Sequence, residues 1–144
     1  RLIKGFRKPK QLSEKGLFGA LEHIASTTDK FPGLTCTFSG NRNICIDIEH
    51  ELHLFRIAQE ALNNAVRHGS PTRIDITLIR RQGDVVLTVR DNGRGFDSTE
   101  VSKPGQGEGL ANMKHRARVI GGELTVNSTP GEGTTINCIV SHSQ

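Results

Sequence analysis

The chain contains no tryptophan and no tyrosine, and six phenylalanines are its only large aromatics. A core must therefore be built from Leu, Ile, Val and Phe. No apolar run approaches the ~20 residues that a membrane-spanning helix requires, so this stretch of sequence is expected to make no membrane contact. The opening Arg1-Leu2-Ile3-Lys4-Gly5 has neither an initiator Met nor the apolar segment of a signal peptide, and it reads as the start of an excised fragment. The three cysteines, Cys36, Cys45 and Cys138, form an odd set without CxxC spacing. They are expected to be reduced thiols of a cytoplasmic protein, with Cys45 buried beside Ile44 and Ile46 and Cys138 within an apolar alternation. The six histidines include no HxxxH or HExxH pair, which argues against a protein zinc site. Lys and Arg number 19 against 15 Asp and Glu, a net charge of +4. No basic run is interleaved with aromatics, so no nucleic-acid partner is expected.

Glycine, by contrast, is abundant and clustered. Asp91-Asn92-Gly93-Arg94-Gly95 is followed, nine residues later, by Gly105-Gln106-Gly107-Glu108-Gly109, which runs directly into Leu110-Ala111-Asn112-Met113. A glycine-rich loop that feeds a helix N-terminus is suited to bind phosphate, because its N–H groups point outward and the helix dipole favours an anion. Upstream, Glu60, Asn64 and His68 stand at i, i+4 and i+8 along the margin of an apolar stripe. A carboxylate, an amide and an imidazole on one line suit a metal-bound phosphate. Asn64 offers an oxygen to Mg²⁺, Glu60 can orient or deprotonate a nucleophile, and His68 can reach a phosphate. Asn is a poor helix former, so the pair Asn63-Asn64 inside a helix calls for a reason, and a ligand role for Asn64 supplies one. Asp91, at the end of an apolar strand, can select the amino group of an adenine, while Gly93 and Gly95 permit positive φ and close backbone approach. The polar segment from Phe96 to Pro104 is expected to act as a lid. Glu108 places a negative charge within the second cluster, which is compatible with phosphate when it faces solvent.

The coarse pattern is a single domain with antiparallel hairpins between helices. A basic segment over residues 1–12 reads as a linker, and residues 13–144 as the domain. Ser13 caps a helix to about Thr28. Leu34–Phe38 and Ile44–Ile48 read as short extended pieces. A second helix spans about Glu51–His68, with Leu54, Ile57, Ala58, Ala61, Leu62 and Ala65 at a 3.6-residue period. Two alternating runs, Ile74–Leu78 and Val85–Val89, flank a hairpin at Gln82-Gly83-Asp84. A helix from Leu110 to Ile120 precedes strands at about Glu123–Asn127 and Thr134–Val140. The expected fold is an α/β two-layer sandwich: one mixed, mostly antiparallel sheet with helices on one face.

These motifs resemble those of the GHKL ATPase superfamily. Its N box resembles Glu60-Ala61-Leu62-Asn63-Asn64-Ala65-Val66-Arg67-His68, its first glycine box Asp91–Gly95, its second Gly105–Leu110, and its third Gly133-Thr134-Thr135. The resemblance implies the Bergerat ATP-binding fold, with Asp91 on adenine, Asn64 on Mg²⁺, Gly107 and Gly109 on the phosphates, and Gly105, Leu110 and Thr134 beside them. Within the superfamily, Arg56–Asn64, Gly109–Ala117 and the connector-like Lys8–Leu21 are similar to bacterial sensor histidine kinases of the nitrate/nitrite-sensor type. That likeness implies ATP and Mg²⁺ as cofactors. It also implies transfer of the γ-phosphoryl group to a histidine on a separate dimerisation helix, a response regulator as downstream partner, and a monomeric fragment. The full-length protein would then be cytoplasmic or anchored in the inner membrane. His23 lacks the context of a phosphoacceptor and reads as a surface residue. An anti-sigma-type serine kinase, or a nucleotide-responsive interaction module with little catalysis, are the alternatives.

Overall fold

A computed structural model describes residues 10–42, 44–97 and 108–141. Helix α1 (Lys10–Thr28) is followed by strand β1 (Thr35–Gly40) and helix α2 (Ile48–Asn64), which ends in a π-turn (Ala65–Gly69). Strands β2 (Arg73–Arg81) and β3 (Asp84–Asp91), helix α3 (Glu108–Val119), and strands β4 (Gly122–Thr129) and β5 (Gly133–Ser141) complete the order. The sheet runs β1-β2-β3-β5-β4. Only β1 and β2 are parallel, joined by the crossover through α2; the other pairs are antiparallel. This is the mixed, mostly antiparallel sheet expected from the sequence.

Alternation decides which face is covered. Ile74, Ile76 and Leu78 of β2, Val85, Leu87 and Val89 of β3, and Ile136, Cys138 and Val140 of β5 are buried in one core with the apolar stripes of the three helices. The opposite face carries polar cross-strand pairs such as Thr88 Oγ1 donating to Asn137 Oδ1 at 2.7 Å. Burial raises the thiol of Cys36 to about 11 and that of Cys138 to about 12.

The structure departs from the sequence reading in four places. Helix α1 begins at Lys10, ahead of Ser13, and Leu12 is buried in the core. Gly16 then breaks it with φ 71° and ψ −178°. The freed N–H of Leu17 donates to Glu51 Oε2 of α2 at 3.4 Å, so the second half of α1 is capped from a neighbouring helix. Residues 44–47 form no strand; Ile44 and Ile46 turn partly inward and Cys45 outward, so Cys45 is exposed, not buried. Finally, the regular helix ends at Asn64, and residues 65–69 widen into a π-turn before Ser70 (φ 48°) and Pro71 stop it.

Candidate functional site

The end of α2, its π-turn, the ends of β3 and β5, and the start of α3 enclose a cavity of about 380 Å³. Space exists there because α2 carries Ala61 and Ala65, one turn apart, where it faces Val89 and Ile136 of the sheet. Those two sheet residues are direct partners in the β3–β5 register. Larger side chains on the same stripe, such as Leu54 and Ile57, are fully buried in the core.

Among the described residues Asp91 is the only carboxylate that lines the cavity. It closes β3, opposite Ile74 on one side and Thr134 on the other. Its Oδ1 accepts the N–H of Gly93 at 2.8 Å. Burial holds its carboxyl above the ordinary carboxylate value, although backbone N–H groups of Gly93 and Thr134 pull the other way. The adjacent Asn92 fixes the turn. Its Oδ1 accepts the N–H groups of Thr72 and Arg73, both at 2.9 Å, and its Nδ2 donates to Thr72 Oγ1 at 2.9 Å.

The two glycines of this turn serve different needs. Gly95 has φ 67°, and a Cβ there would overlap the carbonyl of Thr129. Gly93 does not use the positive φ that the sequence allowed it, and the close backbone approach alone applies there. It is glycine because a Cβ would stand 2.5 Å from the carbonyl oxygen of Gly69. That same oxygen accepts the N–H of Arg94 at 2.7 Å. The π-turn thus ties the end of α2 to the turn after β3 and sets exposed His68 at the cavity mouth.

Asn64, His68, Asp91, Gly95, Leu110 and Thr134 all line the cavity, as the sequence reading grouped them. Thr134 is braced by Ser128, its Oγ1 lying 2.8 Å from Ser128 Oγ. Glu60 stands apart. It lines a neighbouring, mostly polar cleft of about 460 Å³ between α2 and α3. Gly109 marks the junction: a Cβ there would lie 2.5 Å from Glu60 Oε2 and 2.9 Å from Asn64 Nδ2. The first turn of α3 is therefore pressed directly onto this pair. Glu108, beside it, is exposed to solvent. Gly105, Gly107 and most of the expected lid, residues 98–104, lie outside the described residues.

Sequence reasoning missed Arg94 and the alanine pair as cavity lining, and took Phe96 only as the start of a lid. Phe96 follows the first glycine cluster directly, and its N–H donates to Ser128 Oγ at 2.8 Å. The spacing of Ala61 and Ala65 by one turn was the available signal for a gap. Among the described residues no group of three or more His, Cys, Asp or Glu side chains could hold a metal by itself. The donor set present, the Asn64 amide with the Glu60 carboxylate nearby, fits a Mg²⁺ ion that takes its remaining oxygens from phosphate and water.

A family model described as "Histidine kinase-, DNA gyrase B-, and HSP90-like ATPase" matches residues 49–144. The chain is 33% identical over 127 residues to the sensor histidine kinase ComP of Bacillus subtilis, covering 88% of this chain and 16% of that protein. It is 32% identical over 137 residues to the histidine-protein kinase/phosphatase DegS of Brevibacillus brevis, covering 94% and 35%. With the sensor protein VraS of Staphylococcus haemolyticus the identity is 43% over 86 residues, 60% of this chain and 24% of VraS. The chain thus spans no more than about a third of the length of these relatives. The fold is also that of the histidine kinase domain of a blue-light activated histidine kinase from Erythrobacter litoralis. That match has a TM-score of 0.76 at 20% identity and covers 92% of this chain and 68% of that one. The ATP-binding domain of PrrB from Mycobacterium tuberculosis shares the fold with a TM-score of 0.67 at 22% identity, covering 91% and 95%. The glycine-flanked cavity beneath α2 and the match over residues 49–144 agree: the chain belongs to the family of histidine kinase-, DNA gyrase B- and HSP90-like ATPases.

Proposed function

We propose that this chain is the ATP-binding catalytic domain of a sensor histidine kinase. It holds ATP and Mg²⁺ and presents the γ-phosphoryl group to a histidine on a dimerisation helix outside this chain, for passage to a response regulator. The observation that carries this reading is the half-buried Asp91 at one end of the cavity, with Asn64 and the start of α3 at the other. A half-buried carboxylate here can accept the amino group of adenine and reject a base that offers only acceptors there. Apolar Val89, Ile136 and the two alanines suit the faces of the base. Asn64 would hold the Mg²⁺, which when bound neutralises charge on the β- and γ-phosphates. Leu110, Gly109 and the preceding Gly105 and Gly107 would receive the phosphates at the α3 N-terminus, with His68 near them. Glu60 would orient the attacking imidazole or take its proton.

The relatives described above are sensor kinases, which favours this reading over a serine kinase of the same family. Among the described residues no helix is long and apolar enough to cross a membrane. The chain alone should be monomeric. Isothermal calorimetry tests the reading: the chain should bind ATP, and Mg²⁺ should strengthen that binding. In Asn64→Ala the metal-free affinity should persist while the Mg²⁺ enhancement shrinks at least several-fold. An undiminished enhancement in the mutant would remove Asn64 from the metal.

A further inference from the structure

The cleft beyond Glu60 is not accounted for by nucleotide binding. Arg56, Gln59, Glu60 and Asn63 of α2 face Asn112, Met113 and Arg116 of α3 across it. Arg56 and Arg116 are both half-buried. Arg56 Nη1 donates to Gln59 Oε1 at 2.8 Å, and Arg116 Nη1 lies 3.2 Å from His53 Nδ1. Among the described residues neither guanidinium has a carboxylate within ion-pair distance, unlike Arg73 with Asp75. Burial, and then the charge of Arg56, lower the Arg116 pKa, against an opposing effect of Glu60. Two like charges held in one polar cleft, offset only in part by Glu60, are a cost to the fold, and an oxyanion placed between them relieves it.

The position of the cleft identifies the oxyanion. Arg56, Glu60, Asn64 and His68 succeed one another at four-residue intervals on α2 and its π-turn, each about 6 Å further along the axis. Asn64 and His68 line the nucleotide cavity, and Glu60 and Arg56 line the cleft. Gly109 presses on Glu60 and Asn64 at the boundary between them. A triphosphate whose base sits at Asp91 and whose metal sits at Asn64 points its terminal group at this boundary. We propose that Arg56 and Arg116 form the oxyanion site for the phosphoryl group in transit from ATP to the acceptor. The inference rests on the kinase reading above. In the step itself a ring nitrogen of the acceptor imidazole forms the N–P bond as the Pγ–O bond breaks. ADP keeps the electron pair, and the proton on the other ring nitrogen goes to Glu60. Charge spreads over the equatorial oxygens of the transferring group, where two guanidiniums stabilise it more than they stabilise bound ATP.

The experiment uses the full-length protein that carries this chain and its acceptor histidine. ADP affinity is measured by calorimetry, and single-turnover phosphorylation is followed at saturating labelled ATP. In Arg116→Gln and, independently, Arg56→Gln, ADP affinity should stay within about twofold, since neither residue lines the nucleotide cavity. The transfer rate should fall on the order of 10²- to 10³-fold, the scale at which charge stabilisation of a transferring group acts. Arg116→Lys should recover part of that rate, which a purely structural role for the guanidinium would not allow. Transfer at the parent rate in both glutamine variants would overturn the inference, as would a loss of ADP binding equal to the loss of rate. A parent protein that binds no ATP would instead overturn the kinase reading.

Discussion

Asp91 shows how one side chain sets stability against function. Burial raises its pKa in the fold, so the ionised carboxylate that a base would use at neutral pH opposes folding. Asp91→Asn keeps an oxygen for the Gly93 N–H but removes the charge. It should leave the melting temperature of the ligand-free domain unchanged or raised, while ATP affinity falls about ten- to a hundredfold. Thermal melts paired with ATP titration check both halves; a mutant that melts lower and still binds ATP would contradict both. Gly109 makes the complementary case. Helix propensity alone favours alanine in the first turn of α3, yet the Cβ would strike the Glu60 carboxylate and the Asn64 amide. Gly109→Ala should therefore stay folded by circular dichroism and lose at least severalfold in affinity for ATP with Mg²⁺.

At the scale of elements, turns position the site as much as helices do. The β2–β3 hairpin closes through Gln82-Gly83, with φ of 52° and 91°, between paired Arg81 and Asp84. Two consecutive positive φ values define the type I′ turn, whose first position prefers Asn, Asp or Gly. Glutamine there carries a strain that asparagine relieves. Gln82→Asn should stabilise the domain by about 0.5 kcal/mol without altering ATP affinity, because the turn lies at the opposite end of β3 from Asp91. Urea denaturation reads the gain as a higher midpoint at unchanged slope. The π-turn is the counterpart at the functional end. A wider last turn brings the Gly69 carbonyl onto Arg94, and the helix that carries Asn64 is thereby tied to the strand that carries Asp91.

For the molecule as a whole, the packing of α2 against α3 makes stability depend on pH. His53 lies between them, and its pKa is lowered first by burial and then by Arg116, against an opposing effect of Glu49. The fold therefore holds His53 neutral, as an acceptor for the guanidinium of Arg116. A histidine whose pKa is depressed in the fold contributes stability above its unfolded value of about 6.5 and loses it as pH falls through that value. The urea midpoint should be lower at pH 5.5 than at pH 7.5. His53→Gln, which keeps an acceptor but does not titrate, should reduce that difference.

Periodicity and turn chemistry are local properties, and they were legible in the chain. The 3.6-residue stripe of α2, the alternation of β2 and β3, the two-residue hairpin and the glycine clusters identified the elements and grouped Asn64, His68, Asp91 and Gly95 around one site, to which the family resemblance added Leu110 and Thr134. The early start and kink of α1 were not legible, because a Cα conformation at Gly16 is stabilised by a carboxylate 35 residues away on α2. Nor was the exposure of Cys45, since which face of a short extended segment turns inward depends on what packs beside it. The sequence placed Glu60, Asn64 and His68 on one helical line, but only the docking of α3 at Gly109 divided that line, leaving Asn64 and His68 in the nucleotide cavity and Glu60 with the arginine cleft. Spacing along one helix fixes which side chains share a face, whereas the partner pressed against that face decides which cavity each one enters.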